Sequence, residues 1–131
     1  MSSRKFVTEG HGLPKWSNPI SHAVVVNNMC FISGQLSVNT EGQYVPGTIE
    51  EEANRAFDNV FAAAKAAGFE KSEIVYIDIA FSDLAQVQSV NKIYMNLFPE
   101  GERPARTIYQ AAALPFGGKI KIVATAVKDN A

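Results

Sequence analysis

Only one cysteine, Cys30, occurs in the 131 residues, so no disulfide can form within the chain, and a reducing compartment suits it. No stretch approaches the roughly 20 apolar residues that cross a bilayer. Residues 1–12 hold no apolar run of signal-peptide length, and the expected location is the cytoplasm. An excess of either charge is also missing: twelve Lys and Arg stand against thirteen Asp and Glu, for a net charge of −1 and a pI near 6.1. That balance argues against a protein that grips nucleic acid by bulk charge. The chain carries no GxGxxG and no phosphate-binding loop, and with no HExxH and no CxxC a bound metal has no anchor in the sequence. Apolar content is not scarce. At 47% hydrophobic with little net charge, the chain is expected to fold rather than stay disordered.

The length suits one domain spanning 1–131, and no repeat or linker divides it. Ala23-Val-Val-Val-Asn-Asn-Met-Cys-Phe-Ile-Ser33 reads as two strands around an Asn27-Asn28 turn, since Asn tolerates the positive φ such turns demand. Ser37 to Gly47 reads as a polar surface loop. Thr48 and Glu51 have capping-box spacing and open a helix with an apolar stripe over Ala53, Ala56, Phe57, Val60, Phe61, Ala64 and Ala67. Gly68 closes it, and Glu50-Glu51-Glu52 read as acids facing the positive helix end rather than as metal ligands. Ile74 to Phe81 is a strand; Asp83 caps a second helix with Val87, Val90, Tyr94, Leu97 and Phe98 on one side, stopped by Pro99.

Ala105 to Ala113 and Lys119 to Lys128 complete a β-β-α-β-α-β-β order, an α+β sheet, with Gly117-Gly118 read as a hairpin turn between them. On the last strand, Ile120, Ile122, Ala124 and Ala126 line one face while Val123 and Val127 sit on the other. Two helices cover one face only, so the second predicts a homo-oligomer.

Few residues offer chemistry. Cys30 lies in an apolar strand and reads as an inert thiol. Ser21 and His22 are adjacent, would point to opposite sides of a strand, and cannot form a serine–base pair. Arg106 is different. It begins an apolar strand, where a guanidinium in a partly dry wall takes a carboxylate through two parallel hydrogen bonds.

Ser33-Gly34-Gln35, the helix carrying Asn59-Val60 and ending at Gly68, the Val90-Asn91-x-x-Tyr94 helix, and Arg103-Pro-Ala-Arg106 followed by Ala-Ala-x-Leu-Pro together resemble the RidA/YjgF family. These are imine and enamine deaminases, also labelled endoribonuclease L-PSP, and the likeness runs from about Pro19 to Val127. The resemblance implies a chorismate-mutase-like sheet of about six strands with two helices on one face. It also implies a homotrimer with clefts between subunits, no cofactor, and hydrolysis of 2-imino acids such as 2-iminobutanoate and 2-iminopropanoate to 2-oxo acids and ammonia. By the same resemblance Arg106 holds the substrate carboxylate, and the backbone at Gly34 and Ile108 helps bind substrate and water, with Ser33 beside them.

Departures from the family are specific. Ile20 stands where a tyrosine hydroxyl is usual, and His22 where glutamine is usual. Lys121 replaces a glutamate thought to handle the attacking water. Loss of a general acid–base group removes a factor of about 10²–10⁴. If Lys121 faces the cleft, the site is doubly cationic and favours a dicarboxylate or phosphorylated ligand; if it faces solvent, it has no such role. Two other functions stay open: a non-catalytic trimer that binds an anionic metabolite or a protein partner, and the ribonuclease of the older label. Near-neutral charge and the absence of a basic stripe or paired histidines argue against the last.

Overall fold

The computed structural model describes residues 4–129, so the first three residues of the N-terminal segment lie outside it. Six strands, β1 (Lys5–Val7), β2 (Ala23–Val26), β3 (Met29–Gln35), β4 (Ile74–Phe81), β5 (Ala105–Gln110) and β6 (Ile120–Val127), form one sheet in the order β1-β2-β3-β6-β4-β5. Neighbours are antiparallel except β4 and β5, which run parallel. The expected α+β architecture is present, and β1 adds a short edge strand that the sequence pattern does not mark. The expected hairpin between the last two strands is not formed. β6 inserts between β3 and β4, and Gly117 and Gly118 follow a short 3₁₀ turn instead.

Helix α1 (Ile49–Ala66) begins with the capping box the spacing predicts: the Glu51 N–H donates to Thr48 Oγ1 at 3.1 Å and the Thr48 N–H to Glu51 Oε1 at 2.8 Å. Ala53, Ala56, Ala63 and Ala64 are buried, and their small side chains let the helix lie close on β3 and β6. The helix ends in a Schellman closure, in which the Phe69 N–H reaches the Ala64 carbonyl at 2.8 Å and the Gly68 N–H that of Lys65 at 2.9 Å. Phe69 is then buried against the core. Helix α2 (Val87–Leu97) follows a 3₁₀ turn capped by Asp83 and meets α1 through the edge-to-face ring pairs Phe57–Tyr94 and Phe61–Phe98.

Alternation along β6 divides the sheet. Ile120, Ile122, Ala124 and Ala126 are buried beneath α1, whereas Lys121, Val123, Thr125 and Val127 point to the other face and are only half-buried. The register puts Phe31 and Met29 beside Thr125 and Val127, and Phe6 beside Val24, on that uncovered face. A smaller cluster of Leu36, Val38, Ala80 and Leu114 covers one end of it.

Gly68 holds φ at +90°, and a methyl group there would touch nothing within 4 Å. The penalty of Gly68→Ala is therefore that of the backbone alone, about 1–2 kcal/mol. Thermal melts are expected to show a loss of several degrees; an unchanged midpoint would mean that the Schellman closure does not hold the helix end.

Candidate functional site

The sequence-derived residues fall into two half-sites on opposite faces of the sheet. The first lies at the uncovered face, where a β-bulge in β3 sets three steps from Ile32 to Gln35 against two on β6. Ser33 and Gly34 occupy the bulge, and bulges re-aim the chain beside a site. The stem of Lys121 lies over Gly34: a Cβ added at Gly34 would come within 2.9 Å of Lys121 Cδ and 3.1 Å of Cγ. A larger residue here would have to displace the Lys121 stem. Ile20, Gly34, Lys121 and Val123 line a cavity of about 260 Å³, closed by Trp16 and Phe116. Ser33 Oγ donates to the Ser21 carbonyl at 2.6 Å, tying the bulge to the segment that carries Ile20.

Two buried polar residues shape this cavity; sequence reasoning placed Glu52 only among the acids at the helix start and gave Asn59 no role in the site. Asn59, on α1, donates from Nδ2 to the Leu36 and Val38 carbonyls at 3.0 and 2.9 Å, fixing the segment that forms one wall. Glu52, in the first turn of α1, is fully buried and accepts from Tyr44 Oη at 2.7 Å, from the Lys119 N–H at 3.1 Å, and from Lys119 Nζ at 3.4 Å. Loss of solvent, and then the neighbouring Glu52 carboxylate, push the Tyr44 hydroxyl up to about 12. Tyr44 stacks on Phe116, a non-glycine residue at φ +64°. Such a conformation costs on the order of 1–2 kcal/mol. Nothing in the pattern Leu-Pro-Phe-Gly-Gly marks it. The Ser37 to Gly47 segment, read as surface loop, differs from that reading at its start: Ser37 and Val38 are buried, and Ser37 Oγ donates to the Val45 carbonyl.

The second half-site lies at the edge strand β5. Arg106 pairs with Ile77 in the register and so shares the helix-covered face, while Lys121 pairs with Ala80 on the other. Within one protomer the two cations therefore do not meet. Arg106 Nη1 donates to Asn91 Oδ1 at 2.8 Å, and its guanidinium lies 4.7 Å from the centre of the Tyr94 ring. Arg103 Nε donates to the Phe98 carbonyl at 3.1 Å, holding the turn before β5. Both arginines, with Gln88 and Met95, line an open hollow of about 400 Å³, and no carboxylate among the described residues pairs with either. Ile108 follows two residues along the same edge, half exposed.

His22 departs from its expected place at the ligand. It is 1% exposed, stacked at 4.0 Å behind Trp16, with Nε2 on the Pro14 carbonyl at 2.8 Å and Nδ1 on Gln35 Nε2 at 3.2 Å. These partners match the tautomer in which Nε2–H donates to Pro14 and Nδ1 accepts from Gln35. Both ring nitrogens are consumed inside the protein, so His22 supports the Trp16 wall instead of reaching the cavity. Cys30 is buried, and burial pushes its thiol up to about 11, as suits an inert residue. Among the described residues no group of three or more His, Cys, Asp or Glu is placed to hold a metal ion. No helix among them is long and apolar enough to cross a membrane.

Burial lowers the His22 pKa from its ordinary value of 6.5, against a smaller opposing effect of the Pro14 hydrogen bond. The unfolded chain then takes up the proton first as pH falls. Stability from this residue is complete above the ordinary pKa and is lost as pH drops below it toward the folded value. Melting temperatures are expected to fall between about pH 7 and pH 5. His22→Gln should flatten that slope, and a slope unchanged by the substitution would assign it to other groups.

The sequence model of the family described as Endoribonuclease L-PSP matches residues 13–128. The 2-iminobutanoate/2-iminopropanoate deaminase of Bos taurus is 40% identical over 116 residues, 88% of this chain and 84% of that protein. The Homo sapiens protein of the same name is 39% identical over 111 residues, 84% of this chain and 80% of its own length. Among solved structures, the YjgF gene product of E. coli superposes with a TM-score of 0.86 at 33% identity, covering 95% of this chain and 99% of that one. E. coli TdcF with bound serine superposes equally, at 0.86 and 30% identity, over 95% of this chain and all of that one. A family match over nearly the whole length, with one sheet and two helices arranged alike, leaves no other assignment: the chain belongs to the RidA/YjgF/L-PSP family.

Proposed function

We propose that this protein hydrolyses 2-imino and enamine acids to 2-oxo acids and ammonia, as a cytoplasmic homotrimer. In the proposed assembly each cleft joins Arg106 of one subunit to the Gly34 cavity of its neighbour. The observation that carries the reading is Arg106 itself. Its guanidinium is oriented by Asn91 and the Tyr94 ring, opens onto a hollow, and has no carboxylate partner among the described residues. A fixed guanidinium fork of this kind takes a substrate carboxylate. Relatives at about 40% identity bear the deaminase name, which supports the same chemistry.

The reaction asks little of the protein. The imine carbon is electrophilic already, so holding the carboxylate and presenting the carbon to water supplies most of what is needed. β5 is an edge strand, and the outer side of its backbone near Ile108 offers donors and acceptors to substrate and water. The Gly34 backbone would do the same from the other side, at the bulge beneath the Lys121 stem. Ile20 supplies no hydroxyl, so a slower reaction than that of tyrosine-bearing relatives is expected. The uncovered sheet face, with Phe31, Met29, Val123 and Val127, supports association of copies. The fact that Arg106 and Lys121 lie on opposite faces of one sheet supports a site shared between subunits.

Ammonia release from freshly generated 2-iminopropionate tests the reading. Wild type is expected to accelerate it, and Arg106→Ala to lose at least about 100-fold, as befits a charged clamp. Sedimentation should give three times the 14.2 kDa chain mass. Mixed oligomers of Arg106→Ala and Gly34→Trp subunits should regain part of the activity that each lacks alone. A well-folded protein without turnover would instead support the non-catalytic anion-binding trimer.

A further inference from the structure

Lys121 is the one charged residue lining the 260 Å³ cavity of the uncovered face. The lysines near it in sequence are neutralised: Lys119 pairs with buried Glu52 at 3.4 Å and Lys128 with Glu73 at 3.0 Å. Lys121 has no ion pair among the described residues. Its stem is seated against Gly34, a glycine that leaves room for it, so the side chain is part of the cavity wall and not a solvated tether. The rest of the wall is largely apolar, with Ile20, Leu36, Val38 and Phe116. Lys121 is half-buried as a residue beside this apolar wall and has no ion pair among the described residues, so an anion entering the cavity would meet an unpaired cation.

We infer that the ligand of this cleft carries a second carboxylate, bound by Lys121, so that the preferred substrates are 2-imino dicarboxylic acids. The inference rests on the deaminase reading above, in which Arg106 of a neighbouring subunit takes the first carboxylate. A single ammonium on this wall of the cleft matches a singly charged carboxylate better than a phosphate dianion, which calls for several donors. Because a lysine cannot accept a proton from water while it is charged, the group acts in recognition and not as a base. The chemistry remains plain hydrolysis: the water oxygen adds to C2, the C2–N bond breaks, and both water hydrogens end on the ammonia released, with no change of oxidation state. 2-Iminosuccinate plus water gives oxaloacetate plus ammonia.

The test compares kcat/KM for freshly generated 2-iminosuccinate and 2-iminopropionate, with thermal melts in oxaloacetate and in pyruvate alongside. Wild type is expected to prefer the dicarboxylate by at least about tenfold in turnover, and oxaloacetate to stabilise it more than pyruvate does. Lys121→Arg should keep that ratio, and Lys121→Met should bring it close to one; melts of the free variants check that both are folded. Equal handling of the two substrates by wild type, or a preference that survives in Lys121→Met, would overturn the inference while leaving the deaminase reading intact. Lysine-dependent stabilisation by oxaloacetate without turnover of either imine would overturn the deaminase reading and support the carboxylate subsite. Neither turnover nor stabilisation would overturn both.

Discussion

Helices α1 and α2 both pack on one side of a six-stranded sheet, and the rest of the molecule follows from that one-sided cover. Every second residue of β6 is driven beneath α1, so the residues between them must face outward. Those outward positions are not polar throughout. Val123 and Val127, with Phe31 and Met29 across the register, make a surface that water does not favour. A second layer is required to remove it from solvent. The same alternation decides where the chemistry can sit, because it sends Lys121 to one face and leaves Arg106 on the other. The proposed shared cleft is thus a consequence of strand parity as much as of surface shape.

Both half-sites are held by polar groups that α1 and α2 project beyond their apolar stripes. Asn59 satisfies two carbonyls of the 36–38 segment and so keeps Leu36 and Val38 folded over the end of the sheet. Each of those carbonyls, left without a partner, would cost about 1–3 kcal/mol, which makes the amide an efficient clasp. Glu52 performs a similar task with charge, and Lys119 with three N–H or O–H donors keeps a buried carboxylate tolerable. Its hold on Tyr44 is passed on by stacking to Phe116, whose strained backbone persists because its surroundings are fixed. At the other half-site, Asn91 and Tyr94 are three residues apart on α2 and therefore share a face, from which they orient Arg106.

Local signals made the elements legible from sequence. Thr48, Glu51 and Gly68 act through their own backbone neighbours, so the ends of α1 could be read without knowing what it packs on. Asn27 adopts φ +54° in the turn its sequence suggests. Arg106 could be singled out because a cation entering an apolar strand is unusual wherever the strand lies. What escaped depends on distant partners. His22 is fixed by Pro14, Trp16 and Gln35, and no spacing rule links a histidine to a glutamine thirteen residues on. The partner of β5 is set by the insertion of β6 beside β4, a topological choice that short apolar runs do not encode. The acidic triplet was legible as a helix start, yet Glu52 differs from Glu50 and Glu51 only in which way the first turn points it.

The presence of Lys121, where the family resemblance implies a glutamate, bears on how the proposed cleft divides its labour. A carboxylate beside the attacking water would draw a proton from it, whereas an ammonium there withdraws from that role and strengthens the positive potential of the cavity. The two uses exclude one another, because a base near an imine also repels an anionic substituent on the same molecule. On the proposed reading, a cleft with a carboxylate clamp at Arg106, no hydroxyl at Ile20 and a cation above Gly34 is suited to holding charge more than to assisting proton transfer. For an imine, whose hydrolysis needs little proton assistance, positioning is the larger share of what a protein can offer. On that reading the absence of a base at this position would be tolerable where a second anionic group improves the grip, and the bulge at Ser33 and Gly34 is the backbone feature against which the Lys121 stem lies.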